Sequence, residues 1–290
     1  MVSQRFGGPW TEDKLRRVRA YLTAYVTALK DQPFDLVYVD AFAGTGFRTK
    51  KQRHEQLDLA LEEFADTDEI AKGSARLALE VVPPFRRYVF IEKNARAFRE
   101  LKTITADYPD RAGAITLVNE DANKALVDLC LQIDWRRSRA VVFLDPYGMQ
   151  VDWTTIEVLA QTKAIDLWYL FPAYIGVGRM TPLSGQVPET WQARLDRCLG
   201  NKDWRDAFYV DAPIADLFED SRQRRERRFN LAAVEAYFRA RLEAVFAGVA
   251  NRAAPMSNRN GTCMYLLFFA CANERGAPIA LRIAEHILKG

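Results

Sequence analysis

Val39-Asp40-Ala41-Phe42-Ala43-Gly44-Thr45-Gly46 is the stretch on which the reading of this chain turns. The residues just before it, 34–39, form a short β-rich run that ends on an acid, Asp40. The chain then passes into glycines, which lack a Cβ and let the backbone approach a ligand closely. A strand running into a glycine turn opens a βα unit. The nicotinamide fingerprint places a third glycine at the end of G-x-G-x-x-G; here that position is Thr49. Asp40 instead stands four residues ahead of Gly44. That arrangement suits a cofactor with a cationic amino-acid end and no pyrophosphate.

Working outward, residues 11–29 carry Leu15, Val18, Tyr21, Leu22, Tyr25 and Leu29 at spacings of three and four, which predicts a helix. Further strands are predicted at 87–91, 114–118, 140–144 and 164–171. Helices are predicted between them at 73–81, 95–107, 125–132 and 153–160. A helix over 230–249, a strand over 263–272 and a helix over 277–288 complete the pattern. This alternation predicts an α/β fold with a doubly wound sheet and helices on both faces. Two stretches break the rhythm. Residues 47–72 are polar and weakly periodic, with a short helix predicted at 57–64. Residues 173–230 hold Trp191, Trp204 and the run Arg222-Gln223-Arg224-Arg225-Glu226-Arg227-Arg228. Both read as insertions in a single domain spanning 1–290.

Composition narrows the functional classes. The chain has 290 residues, 49% hydrophobic and 27% charged, which excludes a wholly disordered chain, a collagen or a disulfide scaffold. Its longest apolar stretch, around Met264 to Ala272, is far short of the roughly 20 residues of a membrane helix. The N-terminal residues lack the apolar centre of a secretory signal. Cys130, Cys198, Cys263 and Cys271 form no CxxC pair, and His54 and His286 stand far apart, so no metal site is expected. Few, scattered cysteines suit a reducing cytoplasm. From Arg222 to Gly290 there are 12 basic and 5 acidic residues, a net of +7; the first 221 residues carry a net of −4. The local excess is either a solvated helix face or a phosphate-binding patch.

The polar motifs fall at the carboxyl ends of the predicted strands, where ligands bind in open α/β sheets. Glu92 closes the second strand and could accept both hydroxyls of a ribose. Asp121 follows the third and could take an adenine amine. Either acid could equally cap a helix, with Asn94 and Asn123 close by. Asp145-Pro146-Tyr147-Gly148 follows the fourth strand. The exocyclic amine of a nucleobase is a poor nucleophile because its lone pair is conjugated with the ring. Asp145 and the Pro146 carbonyl could each accept an N–H from such an amine and aim its lone pair at a methyl donor. Tyr147 could stack on the base. Lys14 could reach a cofactor carboxylate from the first helix, but reads first as an ordinary solvated lysine.

Taken in order, Asp40-x-Phe42-x-Gly44-x-Gly46, Glu92, Asp121 and Asp145-Pro146-Tyr147 resemble the motifs of a class I S-adenosylmethionine-dependent methyltransferase. A more specific resemblance is to the three-Cys-motif partner (TcmP) family. It is carried by Trp10-Thr11-Glu12-Asp13-Lys14-Leu15, the glycine stretch, Gly73-Ser74-Ala75, Phe90-Ile91-Glu92-Lys93-Asn94 and Phe143-Leu144-Asp145-Pro146-Tyr147-Gly148. Asp166-Leu167-Trp168-Tyr169-Leu170-Phe171-Pro172 and Tyr265-Leu266-Leu267-Phe268 continue it over nearly the whole chain.

The resemblance implies a Rossmann-like class I methyltransferase sheet with inserted cap elements and S-adenosyl-L-methionine as cofactor. Cofactor contacts then fall on Asp40, Phe42, Ala43, Gly44, Gly46, Glu92 and Asp121, and catalytic roles on Asp145, Pro146 and Tyr147. It also implies a partner protein with clustered cysteines. Two features depart from the pattern. The Asp40–Glu92 spacing is stretched by the first insertion. The single proline of Asp145-Pro146-Tyr147-Gly148 is closer to tRNA guanine-N2 dimethyltransferases than to adenine-N6 enzymes, which typically carry two. With this fold the arginine run and Lys50, Lys51, Arg53 and His54 would flank one mouth and attract phosphates. The expectation is a cytoplasmic methyltransferase acting on a nucleobase nitrogen in nucleic acid. Its rivals are a non-catalytic scaffold and a nicotinamide oxidoreductase. Intact acids at all four strand ends weigh against the first, and the missing third glycine against the second.

Overall fold

The computed structural model describes residues 9–48, 71–211, 225–227, 230–258 and 260–290. The helix expected at 57–64 and the basic group Lys50, Lys51, Arg53 and His54 lie outside these residues.

The strands are β1 (Asp35–Asp40), β2 (Phe47–Arg48), β3 (Ala71–Lys72), β4 (Arg87–Ile91), β5 (Ile115–Val118), β6 (Ser138–Leu144) and β7 (Ile165–Phe171), followed by β8 (Tyr209–Asp211), β9 (Arg225–Arg227), β10 (Gly248–Val249), β11 (Ala254–Ser257) and β12 (Cys263–Cys271). The helices are α1 (Pro9–Leu29), α2 (Ser74–Leu79), α3 (Ala95–Leu101), α4 (Ile104–Asp107) and α5 (Ala122–Gln132), then α6 (Trp153–Gln161), α7 (Glu189–Leu199), α8 (Trp204–Phe208), α9 (Leu231–Glu243) and α10 (Ala277–Lys289).

The main sheet runs in the order β5-β4-β1-β6-β7-β12-β10, with β11 also pairing β12. β5, β4, β1, β6 and β7 are mutually parallel. β12 enters antiparallel beside β7, and β10 and β11 pair antiparallel with its far edge. The fold is thus an α/β, doubly wound, Rossmann-like sheet. The order reverses between β1 and β6: the chain leaves β1 towards β4 and β5, then returns to build β6 and β7 on the other side. That reversal is the topological switch point, and it opens a crevice above the strand ends.

Both sheet faces are covered, so the central strands are apolar throughout rather than alternating. On one face Val37, Val39, Val142, Leu167 and Phe268 pack against α5, α6, α7 and α9. On the other, Tyr38, Phe90, Phe143, Trp168 and Phe269 pack against α1, α2 and α10. Phe238 of α9 stacks on Phe171 with ring centroids 3.8 Å apart and meets Phe268 and Trp153 edge-on.

The insertion at 173–230 contains a π-helical turn (Ala173–Gly178), α7, α8 and the small β8–β9 hairpin. Trp204 is fully buried and donates to Asp196, whereas Trp191 is 38% exposed. The expected helix over 230–249 stops at Glu243, and Gly248–Val249 is instead a strand on the sheet edge. A Cβ on Gly248 would lie 2.8 Å from Leu281 Cδ1 and 3.3 Å from Ala277 Cβ, so α10 packs closely on this edge. β11 was not expected either. Its Pro255 lacks an N–H and suits an edge strand.

Candidate functional site

The glycine turn is held between two strands. Ala41 N–H donates to Phe143 O and Ala43 N–H to Ile91 O, so the turn leaves β1 pinned to both β6 and β4. Gly44 and Gly46 have φ of +60° and +74°, a region that disfavours residues with a Cβ. A Cβ at Gly44 would meet nothing within 4 Å, whereas one at Gly46 would press on Leu101 at 3.2 Å. The space above Gly44 is therefore a cradle with glycine as its floor. Phe42 is half-buried beside it and Ala43 is buried.

Asp40 sits beneath this turn and is fully buried. Its carboxylate accepts Phe42 N–H at 3.2 Å and the Ser74 hydroxyl from the start of α2. Burial pushes the Asp40 carboxyl up to about 7; the Ser74 hydrogen bond opposes this, the Asp145 charge adds to it, and Phe42 N–H and Lys14 oppose it. Asp40 thus shapes the turn and supplies negative charge from below.

Glu92, at the end of β4, reaches across to the turn. One carboxylate oxygen accepts Gly44 N–H at 2.9 Å and the other accepts Asn94 N–H at 2.6 Å. A carboxylate offers about four lone-pair sites, so each oxygen keeps one for a ligand hydroxyl. Asp121 is the N-cap of α5, accepting Asn123 N–H at 3.0 Å, and it pairs with the exposed Lys93 at 3.0 Å. Burial raises its carboxyl, but the bonds from Lys93 and Asn123 outweigh that and hold it below the usual range. Its capping role is thus realised. Asn94 likewise caps α3.

Asp145 lies across the switch point from Asp40, at the end of β6. The expectation for Lys14 is corrected here. Lys14 is 5% exposed, and its ammonium lies 2.5 Å from Asp145 Oδ2. It is also near the faces of Trp10 and Phe143, 5.3 and 6.0 Å from their centroids. The sequence signal was present but passed over: Lys14 is four residues from both Trp10 and Val18, on the apolar stripe of α1. Trp10 in turn stacks on Tyr265 of β12 at 5.3 Å. Tyr147 is 59% exposed, and its N–H donates to Gln150 Oε1 at 2.9 Å. Ser74 and Tyr265 are the site neighbours to which sequence reasoning gave no role.

The arginine run falls partly on β9. Arg227 donates to Gly178 O at 2.8 Å and to the Thr181 hydroxyl at 3.3 Å, which docks the β8–β9 hairpin onto the turn after β7. Arg222, Arg224 and Arg228 lie outside the described residues. Among the described residues no cluster of His, Cys, Asp and Glu could hold a metal ion, and no helix is long and apolar enough to cross a membrane.

No family model matches this sequence, and no curated protein matches it. Among solved structures, protein LPL1258 from Legionella pneumophila, of family-model DUF519, superposes with a TM-score of 0.53 at 13% identity, over 98% of this chain and 93% of that one. The N-terminal domain of EvdMO1, solved with SAH and D-fucose, gives 0.40 at 12% identity, over 90% and 84%. Magnesium protoporphyrin IX methyltransferase from Synechocystis PCC 6803, with bound SAH, gives 0.38 at 12% identity, over 90% and 85%. At such identities the likeness to the Legionella protein, which runs nearly end to end, is one of fold: a Rossmann-like sheet carried through both chains.

Proposed function

We propose that this protein is an S-adenosylmethionine-dependent methyltransferase that modifies an exocyclic nitrogen of a nucleobase in nucleic acid. One observation carries the reading: two acidic strand ends face each other across the switch point, one under a glycine cradle and the other in an Asp-Pro-Tyr turn. The cradle fits the cofactor. Gly44 leaves room for close approach, Glu92 keeps two lone pairs for ribose hydroxyls, and Asp40 lends negative charge beneath a cationic amino-acid end. Asp121 takes the adenine amine while it caps α5.

When bound, this cofactor supplies a methyl group on a sulfonium: the nitrogen–carbon bond forms as the carbon–sulfur bond breaks, a neutral thioether leaves, and the amine gives up one proton. The protein supplies orientation and electrostatics. Asp145 and the Pro146 carbonyl accept N–H bonds from the amine and turn its lone pair towards the methyl. Tyr147, exposed beside them, stacks on the base. The docked β8–β9 hairpin sets Arg225–Arg227 towards the same end of the sheet, and the arginine run of which they are part meets phosphates. Binding to a three-Cys-motif partner and action in the cytoplasm belong to the same proposal.

Calorimetric titration with S-adenosylmethionine and S-adenosylhomocysteine tests it. Micromolar binding that is lost in Gly46→Arg supports the cofactor; no binding to the folded protein overturns it. Transfer of tritiated methyl into RNA or DNA, lost in Asp145→Ala, then tests the acceptor.

A further inference from the structure

Asp40 ends β1 and Asp145 directly follows the adjacent strand β6, and the Asp145 charge disfavours ionisation of Asp40. Left alone they would resist being ionised together. Lys14 is the cation set against this pair: its ammonium contacts Asp145, and its field favours the charged form of Asp40. With both acids ionised, the cluster of Asp40, Asp145 and Lys14 carries a net charge of −1. That complements the net +1 of S-adenosylmethionine.

The geometry points to Lys14 as a positioning residue for the transfer: it fixes the Asp145 carboxylate by one oxygen, Oδ2, and leaves Oδ1 free to accept the target amine. This role rests on the methyltransferase reading above. Three features make the contact a built one. The lysine is buried, with only 6% of its side chain exposed. Its desolvated charge is offset by the carboxylate and by the ring faces of Trp10 and Phe143, which attract cations. It projects from α1, an otherwise apolar stripe, so nothing in helix packing calls for a charge at this place. Burying a lone ammonium costs far more than burying a methylene, and the carboxylate is what offsets it. Trp10, whose ring faces the ammonium, is itself held by stacking on Tyr265.

The test compares wild type with Lys14→Met, which keeps the stem and removes the charge, and with Lys14→Arg, which keeps a cation. Crystal structures of the three read the Asp145 carboxylate directly. Displacement by about 1 Å or more in Lys14→Met, with less in Lys14→Arg, is the expected result; an unmoved carboxylate in Lys14→Met overturns the role. Kinetics use tritiated S-adenosylmethionine with total RNA and genomic DNA from cells lacking the protein. A misplacement of that size costs on the order of 100-fold in turnover. The loss is expected in kcat, with KM for the nucleic acid unchanged. Wild-type turnover in Lys14→Met, or a loss confined to KM, also overturns it. If wild type binds the cofactor but methylates neither nucleic acid, the proposed acceptor fails, and the crystallographic comparison still decides the role of Lys14. Should Lys14→Met not fold, Lys14→Gln replaces it.

Discussion

Replacing Asp40 by asparagine removes the charge beneath the glycine turn while keeping its shape. The asparagine oxygen accepts Phe42 N–H as the carboxylate does, and the Ser74 hydroxyl can rotate to accept from the new NH2. In the folded protein the Asp40 carboxyl is pushed up from 3.8 to about 7, with burial the leading cause. The unfolded chain therefore ionises this group first, and between the two values the folded state binds more protons. Stability from Asp40 is fully present below about 3.8 and is lost as pH rises to about 7. At about 1.4 kcal/mol per unit, the whole change is about 4 kcal/mol. Asp40→Asn lacks this slope. Urea unfolding of both proteins at a series of pH values gives their stability difference, in which most other titrating groups cancel. The variant should gain on wild type by up to about 4 kcal/mol between pH 4 and 8, with most of the change below pH 7. A difference independent of pH would refute the claim that Asp40 is buried in the state the structure shows. In wild type, S-adenosylmethionine affinity should also fall as pH drops through about 7, because a cationic ligand favours the charged acid.

Two further outcomes follow from packing and charge. Phe238→Ala removes a ring stacked on Phe171 and should cost about 3–5 kcal/mol in urea unfolding with little change in cofactor affinity. Arg227→Ala releases the β8–β9 hairpin from Gly178 and Thr181, so affinity for RNA or DNA should fall and its salt dependence should flatten, while S-adenosylmethionine binding holds.

The legible parts of this fold are those whose cause is local. The strand at 87–91 was placed to the residue, because Tyr88 to Ile91 is an unbroken apolar run bounded by polar residues. The glycine turn was legible for the same reason: positive φ at Gly44 and Gly46 is a property of the residues themselves. The helix predicted over 230–249 ran on too far because Val245, Phe246 and Val249 continue an apolar pattern. That pattern does not show that Gly248 and Val249 pair with Cys271 and Ala270 of β12, a contact made more than 20 residues along the chain. The helix over 189–199 was missed inside a stretch read only as an insertion: its apolar face is narrow, with Leu195, Cys198 and Leu199 buried.

The sequence by itself determined that acids would stand at the ends of four strands, since Asp40, Glu92 and Asp145 directly follow apolar runs and Asp121 stands three residues past one. Only the tertiary structure decided what those acids touch. Glu92 grips Gly44 from 48 residues away, and Asp121 is committed to capping α5. Lys14 meets Asp145 across 131 residues. The apolar stripe of α1 gave Lys14 a local reason to be buried, but not a partner. It meets Asp145 because α1 packs on the sheet where β6 ends, and that placement is a property of how distant segments pack.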